Sequence, residues 1–395
     1  MGDDNSNSSK KCESNKFNVI IIGGGMAGLA AANHFNKNGM EDFIILEARK
    51  RIGGRIISIP MKNHHVELGA NWIHGVLGKI LLEHPVKKII WGSEHGSPED
   101  VGEESEDSDQ TVIEDISKVS NSDKPANTEE VNVTEKPKKK LTHSVEVICD
   151  NGKTFYANHV ICTIPLGVLK EHANTMFEPA LPQYKLESIE RLLFSAVDKI
   201  FLEYDRPFLN PDITEIMLLW ENSNSSEHVS QNWYKKIYSF SKVTETLLLG
   251  WVSGKEAEYM ETLSMEEVAI TCTKILRKFL NDPFVPEPQK CVCTSWKKQP
   301  YTRGSYTAIA VGASQSDIES IAQPLFRNVR DKKPVLLFSG EHTHSSFYST
   351  VHGAYLSGQT AAKRLLAPDV SPEHFLECPG SADLNSWIQG IQLEG

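Results

Sequence analysis

The chain has 395 residues, of which 39% are hydrophobic and 24% are charged, and its formal net charge at pH 7 is −11. This composition is that of a globular protein with enough length for two domains. The acidic charge argues against nucleic acid as the main partner and suits a cationic substrate. No stretch approaches the roughly 18 consecutive apolar residues of a membrane-spanning helix, so we expect no membrane partner.

The seven cysteines are scattered along the chain without any C-x-x-C pair. The first residues are polar and lack the apolar core of a secretory signal. Together these features favour a reducing compartment over a disulfide-bonded scaffold. The last three residues are Leu-Glu-Gly rather than the peroxisomal Ser-Lys-Leu signal. We therefore expect a cytoplasmic location, with the nucleus and the peroxisome left open.

The first predicted elements form a strand–helix–strand unit. Residues 17–22 (FNVIII) are apolar and β-branched, as in a buried parallel strand, and residues 43–46 (FIIL) form a second strand. A helix is predicted between the two strands. The loop before this helix has the pattern G-x-G-x-x-G, with its glycines at Gly23, Gly25 and Gly28.

This glycine motif indicates a particular kind of ligand. Its glycines permit a tight turn, the close approach of a pyrophosphate to the backbone, and close packing of the helix against the strand. The free N–H groups at the start of the helix attract phosphate. Glu47, nineteen residues after Gly28, stands where an acid accepts hydrogen bonds from ribose hydroxyls. The pattern predicts a bound dinucleotide but does not by itself separate FAD from NAD.

The stretch from residue 93 to residue 142 differs in composition from the rest of the chain. It is acidic at first, then rich in Ser, Asn, Thr and Pro, and it ends in KPKKK, with almost no aromatic residues. Such a segment buries too little apolar surface to fold, so we predict a disordered insertion at the surface. We interpret KPKKK as the solvated end of this insertion, with nuclear targeting as the alternative.

Regular structure is predicted again after the insertion. Two strands flank a hairpin turn at residues 150–152, where Asp, Asn and Gly follow one another. The later predicted elements are three strands at residues 199–204, 246–252 and 335–339, and two helices at residues 265–280 and 353–366.

Six segments carry further motifs. They read EARKRIGGR at 47–55, ELGANWIHG at 67–75, ICTIPLGVLK at 161–170, DKIFLEY at 198–204, WKKQPYTRGSY at 296–306 and LLFSGEHTHSSFYSTVHGAYLSGQTAAKRLL at 336–366. Together with the glycine loop, these segments resemble the flavin-containing amine oxidase family over nearly the whole of the predicted ordered chain. NWIHG, DKIFLEY and YSTVHGAYLSG, like the long acidic insertion, are most similar to the animal polyamine oxidases of the spermine oxidase type.

The resemblance implies an α/β fold. Its main part would be a doubly wound, Rossmann-like FAD-binding domain, accompanied by a smaller, truncated substrate domain of mixed-sheet α+β type. We accordingly assign a flexible arm (1–16), the FAD-binding domain in three parts (17–92, 143–165 and 331–366), the disordered insertion (93–142), the reduced substrate domain (166–330) and a C-terminal tail (367–395).

The same resemblance implies FAD as the cofactor and assigns residues to it. The ADP half of FAD would be held by Gly23, Gly25, Gly28, Glu47, Arg49 and Arg55, and the adenine by the strand that includes Val86. The flavin end would lie along Gly69, Ala70, Asn71, Trp72 and Trp296, with Gly340 and Glu341 near the ribityl chain. Thr350 and Val351 would also bind the cofactor, and the helix that starts near His352 and Gly353 would direct the positive end of its dipole at the flavin.

Lys199 is the first candidate for a catalytic residue. On its own, a lysine in this strand would be interpreted as a side chain that reaches solvent from a sheet edge. The resemblance instead implies that Lys199 holds a water molecule against the reactive nitrogen of the flavin. Burial among apolar groups would lower the pKa of Lys199, so that its neutral amine could act on this water.

His74 is the second candidate catalytic residue. The resemblance implies a polyamine as the substrate and dioxygen as the electron acceptor. By resemblance, His74 lies at the substrate side of the flavin, where the amine nitrogen must lose a proton. Tyr301 and Tyr306 would offer aromatic faces to alkylammonium groups. The small residues Ser349 and Thr350 would leave room for a long, thin substrate.

No metal is expected in this protein. His342, His344 and His352 could share one face of the late predicted strand end, which would suit metal ligands. However, no cysteine or acid completes a four-ligand set at the usual spacing, and the flavin motif already accounts for this segment.

The chain departs from the family pattern after Gly75. Only VLGKILLEHPVKKIIW separates this residue from the acidic insertion, whereas the family has a long helical stretch there that covers the substrate cavity. On the order of 100 residues, about a small domain, are therefore expected to be missing. Two alternatives stay open: a catalytically impaired FAD-binding protein that acts through interactions, and an amine oxidase that acts on methyl-lysine in chromatin.

Overall fold

The computed structural model describes residues 15–62, 64–70, 80–91, 144–220, 228–327, 331 and 333–367. All of them belong to one of two compact units of the chain, which runs from Met1 to Ser93 and from Ser144 to Gly395. The other unit, Glu94–His143, lies outside the described residues. The predicted disordered insertion and most of the predicted arm and tail therefore lie outside them too.

The strands of the described residues are short, and most of them pair within two large sheets. In chain order they are β1 (Lys16–Ile22), β2 (Phe43–Leu46), β3 (Ser58–Met61), β4 (His64–Glu67), β5 (Ile80–Leu81), β6 (Val86–Trp91), β7 (Val145–Cys149), β8 (Thr154–Cys162), β9 (Phe177–Glu178), β10 (Leu193–Ser195), β11 (Val197–Glu203), β12 (Glu215–Met217), β13 (Ser239–Thr244), β14 (Leu247–Ser253), β15 (Lys290–Cys293), β16 (Tyr306–Ala308) and β17 (Leu336–Phe338).

The helices of the described residues lie between these strands. They are α1 (Met26–Lys37), α2 (Leu166–Met176), α3 (Gln183–Arg191), α4 (Val229–Asn232), α5 (Lys255–Met260), α6 (Met265–Leu280), α7 (Gln315–Ala322) and α8 (Val351–Leu366), with two short 3₁₀ helices at Trp233–Lys236 and Glu341–Thr343. Among these residues, every helix is too short or too polar to cross a membrane.

The predicted strand–helix–strand unit is confirmed by β1, α1 and β2. The alternation of β1 places Ile20 and Ile22 in one hydrophobic core and Val19 and Ile21 in a second core on the opposite face. Because both faces of β1 are covered, the strand is a continuous apolar run, as expected for a central parallel strand. The hairpin turn between β7 and β8 and the long helix α6 are also confirmed.

The larger sheet has eight strands in the order β5-β2-β1-β8-β7-β6-β9, and β17 also pairs with β8. The pairs β1–β2, β1–β8 and β8–β17 are all parallel. Strands from both ends of the described chain, β1 and β17, therefore pair with β8 in one sheet. The carboxyl ends of these strands meet at one edge, which is where α/β sheets bind ligands.

The second sheet has five strands in the order β12-β13-β14-β11-β15, and all of its pairs are antiparallel. One face of this sheet packs against α6, whose buried residues share a hydrophobic core with those of β11, β13 and β14. The helix α6 begins with a capping box, in which Ser264 and Glu267 bond each other's backbone N–H groups. Lys199 lies on β11, an interior strand between β14 and β15.

Helices α3 and α7 are joined by a buried lysine. Lys185 of α3 is fully buried, and its Nζ donates to the carbonyl oxygens of Ser320, Ile321 and Gln323 at 2.7, 2.7 and 2.9 Å. These carbonyls belong to the end of α7, where helical acceptors lack partners within the helix. Burial lowers the pKa of Lys185 to about 7.

Replacing this lysine is expected to weaken the fold. In the variant Lys185→Met three carbonyls, one buried and two partly buried, lose their donor, so we expect a loss of about 3 kcal/mol in the free energy of unfolding, measured by urea titration. Lys50→Met is the matched control, because Lys50 is 84% exposed and should change stability by less than about 0.5 kcal/mol. Equal stabilities of the two variants would contradict this role of Lys185.

Candidate active site

A cavity of about 950 Å³ lies beside the glycine loop and reaches the second sheet. It brings together nearly all of the predicted site residues that the structure describes. The predicted residues in its wall are Gly23, Gly25, Glu47, Arg49, Arg55, Gly69, Ala70, Val86, Lys199, Trp296, Tyr301, Tyr306, Gly340, Glu341, Ser349, Thr350 and Val351. Gly28 is not part of the wall, and Asn71, Trp72 and His74 lie outside the described residues.

The glycines of the motif have different surroundings. A Cβ atom on Gly28 would lie 2.0 Å from the carbonyl oxygen of Gly23, so only glycine lets α1 pack this closely on the loop. A Cβ atom on Gly25 would meet only the Cα of Gly54, at 3.9 Å. Gly28 is thus required for packing, whereas the backbone of Gly25 borders open space in the cavity.

Glu47 holds the glycine loop against the end of β2. Its side chain is buried, Oε2 accepts a hydrogen bond from the backbone N–H of Gly24 at 2.7 Å, and Oε1 accepts one from Arg49 at 2.9 Å. A carboxylate has about four acceptor positions. Two of them are used by the backbone, which leaves acceptor capacity for hydroxyl donors of a ligand.

Arg55 and Glu341 form an ion pair in the cavity wall. Nη1 of Arg55 donates to Oε1 of Glu341 at 3.1 Å and to the carbonyl oxygen of Ser305 at 2.7 Å. The carboxylate of Glu341 also accepts from the hydroxyl of Thr307 at 3.0 Å and from the N–H of Ser349 at 2.8 Å. This network connects the segment behind the glycine loop with the segment that leads into α8.

Near the glycine loop, Nη2 of Arg49 and Nε2 of His84 are buried polar atoms of the wall that have no hydrogen-bond partner among the described residues. Burial, followed by the charge of Arg51, lowers the pKa of Arg49. Nδ1 of His84 lies 2.6 Å from the carbonyl oxygen of Leu82, which makes Nδ1 the donor and leaves Nε2 as an acceptor. A ligand that carries phosphate oxygens and hydroxyl or amine donors would satisfy both atoms.

These features fit the adenine dinucleotide that the sequence predicts. The loop offers backbone at Gly25, Arg49 offers a free donor, and Glu47 and His84 offer acceptors. His84 was not among the predicted residues. The backbone N–H of His84 donates to the carbonyl oxygen of Glu47 at 2.9 Å. The only signal for His84 in the sequence is its position two residues before Val86.

Lys199 lies at the other end of the cavity and is 6% exposed. Its Nζ donates to the carbonyl oxygens of Glu67 at 2.7 Å and Gly69 at 2.8 Å, and it stands 4.9 Å from the centre of the Trp251 ring. Burial lowers the pKa of Lys199, as the sequence predicts, while the nearby Glu67 opposes this shift. An ammonium has three donors, so one N–H is left for a ligand or a water molecule.

Trp251 and Trp296 enclose the lysine end of the cavity. Trp251 is the cross-strand partner of Lys199 in the β11–β14 pair. The ring of Trp296 is so close to Gly69 that a Cβ atom there would lie 3.3 Å from its Cζ2. Trp251 was not predicted, because the register between β11 and β14 is needed to place it.

The predicted substrate residues lie at the more open part of the wall. Tyr301 is 36% exposed and Tyr306 is 42% exposed, so both present aromatic surface to solvent. The hydroxyl of Ser349 donates to the carbonyl oxygen of Thr307. The hydroxyl of Thr350 accepts from the N–H of Gly353 at 3.0 Å and thereby caps α8. The start of α8 therefore lies at the cavity, as predicted.

The histidines around Glu341 are arranged differently from a metal site. His342 is fully buried, and burial lowers its pKa to about 4. Within the part of the chain that the structure describes, no group of three or more His, Cys, Asp or Glu side chains is arranged to hold a metal ion.

Comparison with known proteins places the chain in a class. Residues 26–90 and 126–366 match the family described as flavin containing amine oxidoreductase. The chain belongs to this family. The predicted fold class and the predicted cofactor, FAD, are thereby confirmed.

Individual relatives are similar to parts of the chain. A peroxisomal N(1)-acetyl-spermine/spermidine oxidase of Homo sapiens is 42% identical over 57% of this chain and 46% of its own length. A possible lysine-specific histone demethylase 1 of Drosophila melanogaster is 34% identical over 60% of this chain and 28% of its own length. The chain thus spans about half the length of the human oxidase that it matches.

The fold has a counterpart among solved structures. A double mutant of putrescine oxidase, made in a redesign of cofactor binding, aligns with a TM-score of 0.58 at 14% sequence identity. The alignment covers 89% of this chain and 99% of that one. At this identity the likeness demonstrates the shared fold.

Proposed function

We propose that the chain catalyses the FAD-dependent oxidation of a polyamine, either spermine or an N1-acetylated polyamine. The products would be an aminoaldehyde, a shorter polyamine and hydrogen peroxide, with dioxygen as the electron acceptor. The observation that carries this proposal is the buried Lys199, which shares one cavity with the dinucleotide-binding loop. The match to the human acetyl-polyamine oxidase supports the substrate class.

The residues divide between two ends of the cavity. Gly25, Glu47, Arg49 and His84 would hold the adenine dinucleotide end, and the ring end would lie near Lys199. FAD supplies the acceptor for a hydride from the carbon next to the amine nitrogen. The protein's own residues then have three tasks: to orient the amine, to exclude bulk water and to place one water molecule.

Lys199 would place that water molecule. Two of its N–H groups are fixed on the carbonyls of Glu67 and Gly69, so the direction of the third is constrained. Burial lowers the pKa of Lys199, which brings its neutral form closer to working pH. The side chain can therefore exchange a proton with a water molecule that hydrolyses the imine of the oxidised substrate.

The aromatic wall would bind the cationic chain of the substrate. Tyr301 and Tyr306 expose ring faces that attract alkylammonium groups by cation–π interaction. The hydroxyl residues Ser349 and Thr350 are small and line the cavity, so they would leave room beside them for a thin aliphatic chain. His74 remains a proposed substrate contact at a position outside the described residues.

We also propose the cytoplasm as the compartment. The five cysteines of the described residues, Cys149, Cys162, Cys272, Cys291 and Cys293, are all free thiols. Free thiols are typical of a reducing compartment.

A second candidate function is that of a catalytically impaired FAD-binding protein that acts through interactions. The chain covers 46% of the human oxidase, so parts of that enzyme have no counterpart in the matched region. Oxidation of methyl-lysine is a third candidate, which the similarity to the Drosophila protein supports.

One assay distinguishes the three candidates. We expect purified protein to keep flavin absorbance after desalting and to release hydrogen peroxide with spermine or N1-acetylspermine. A dimethyl-lysine peptide should give no peroxide above the background without substrate. Flavin without peroxide from any amine would favour the impaired protein, and peroxide from the peptide alone would favour the methyl-lysine oxidase.

A further inference from the structure

Asp198, next to Lys199 on β11, is a carboxyl group that the proposed chemistry does not use. It is fully buried, and its Oδ1 accepts hydrogen bonds from the hydroxyl of Thr294 at 2.7 Å and from the N–H of Trp296 at 3.3 Å. Its second oxygen, Oδ2, has no donor among the described residues. A buried carboxylate oxygen without a donor is costly unless the group carries a proton.

Glu261, directly after α5, binds the same segment from the other side. Its Oε1 accepts from the N–H of Lys297 at 2.8 Å, and its Oε2 accepts from the N–H of Lys298 at 2.9 Å and the hydroxyl of Ser295 at 3.2 Å. Asp198 and Glu261 together therefore receive five hydrogen bonds from residues 294–298, which we call the tryptophan segment.

The two carboxyl groups bind the N–H groups of adjacent residues, Asp198 that of Trp296 and Glu261 that of Lys297. Two carboxyl groups side by side can bond to each other only when one of them carries a proton. Burial, together with the charge of Glu261, raises the pKa of Asp198 to about 8 although Thr294 and Trp296 oppose the shift. Within the described part of the chain, Cys293 of β15 also faces Asp198. The cationic groups of the segment are engaged elsewhere: Nζ of Lys297 pairs with Glu258, and Nζ of Lys298 donates to the backbone oxygen of Glu261.

We propose that Asp198 and Glu261 share one proton and together act as positioning residues for Trp296. The segment that they hold carries the Trp296 ring, which packs on Gly69, and the carbonyl oxygen of Gly69 binds Lys199. The carboxyl pair thus fixes the wall beside the predicted catalytic lysine without touching the ligand. The relevance of this pair to catalysis rests on the proposed function. The shared proton and the binding of the tryptophan segment do not depend on that function.

The shared proton gives stability a characteristic pH dependence. The native carboxyl, with its pKa of about 8, keeps a proton that the unfolded chain releases near pH 4. Between these values the native state binds more protons, so its stability falls as pH rises. One such proton changes the folding equilibrium constant by up to about tenfold per pH unit.

Urea unfolding of the wild type and of Asp198→Asn, between about pH 5 and pH 8, tests the shared proton. The amide of Asn keeps the acceptor for Thr294 and Trp296 and supplies the donor for Glu261, but it does not titrate. We expect the ratio of the variant's folding equilibrium constant to that of the wild type to increase by up to about tenfold for each unit of rising pH. A ratio that is independent of pH would overturn the proposal.

Asp317→Asn is the matched control. Burial alone would raise the pKa of Asp317, but its hydrogen bond with Arg191 lowers it overall. The stability that this carboxylate contributes is lost only below about pH 4. The ratio of the folding constant of Asp317→Asn to that of the wild type should therefore stay constant between about pH 5 and pH 8.

Hydrogen exchange of the tryptophan segment tests the positioning role. In Glu261→Ala and Asp198→Ala we expect the amides of residues 294–298 to exchange at least about tenfold faster, and in Asp198→Asn to stay protected. Glu261 is only partly buried, so its alanine variant should fold even where Asp198→Ala does not. Unchanged protection in Glu261→Ala would overturn the positioning role. Both experiments omit the amine substrate, so a failure of the oxidase proposal would not affect them.

Discussion

Lys199→Met is expected to lower amine-dependent hydrogen peroxide formation by about 10²- to 10⁴-fold, the range for loss of a proton-transferring side chain, while FAD stays bound. Methionine has a similar length and fills the pocket beside Trp251, but it can neither hold water nor exchange a proton. The carbonyls of Glu67 and Gly69 would also lose their donor, at a cost of about 1–3 kcal/mol in the free energy of unfolding. Peroxide release, flavin absorbance and urea unfolding together separate these effects.

Lys290→Met is the matched control for this variant. Lys290 is exposed on β15, which pairs with the same strand that carries Lys199. Its replacement should leave peroxide formation unchanged. If Lys199→Met turned over substrate as fast as the wild type, the assignment of Lys199 to catalysis would be wrong, although the assignment of FAD would stand.

The second large effect is expected from alanine substitution of two glycines in the glycine motif. One substitution should lower the stability of the fold, and the other should lower the affinity for FAD. In Gly28→Ala the new methyl group would lie 2.0 Å from the carbonyl oxygen of Gly23, so α1 must move away from the loop. We expect a loss of about 3 kcal/mol in the free energy of unfolding of the apoprotein. Binding of FAD should be lost together with the fold of the loop.

In Gly25→Ala the methyl group meets only the Cα of Gly54, at 3.9 Å, and points into open space. As Gly25 is the N-cap of α1, where alanine is less favourable than glycine, the change should lower the stability of the apoprotein by about 1 kcal/mol at most. The same methyl group occupies room that a pyrophosphate needs, so FAD affinity should fall at least about tenfold. Urea unfolding and titration with FAD measure the two quantities, and equal FAD affinity in Gly25→Ala and wild type would exclude this location for the pyrophosphate.

Local patterns were sufficient to predict the elements that follow one another in the chain. The β-branched run before the glycines, the glycine spacing and the acid at Glu47 are all short-range signals, and β1, α1 and β2 follow from them. The extent of α6 was also predictable, since its apolar periodicity and capping residues are contiguous.

Contacts between distant segments could not be predicted in the same way. The carbonyls that bind Lys199 belong to Glu67 and Gly69, more than a hundred residues earlier in the chain. Trp251 reaches Lys199 only through the register of two antiparallel strands, and a one-residue shift would turn it to the other face. The domain limits and the roles of the individual site residues remain predictions.

The position of β17 and α8 has a consequence for how the protein is made. In α8, Gly358 touches α1 so closely that a Cβ atom would lie 2.1 Å from the carbonyl oxygen of Ala27. The strand β17 joins the sheet that β1 begins, and α8 packs on α1. Almost the whole described chain must therefore be synthesised before this sheet and this helix pair are complete. Until then the nascent polypeptide has uncovered apolar faces, and such exposed surface makes a partly folded chain prone to aggregation.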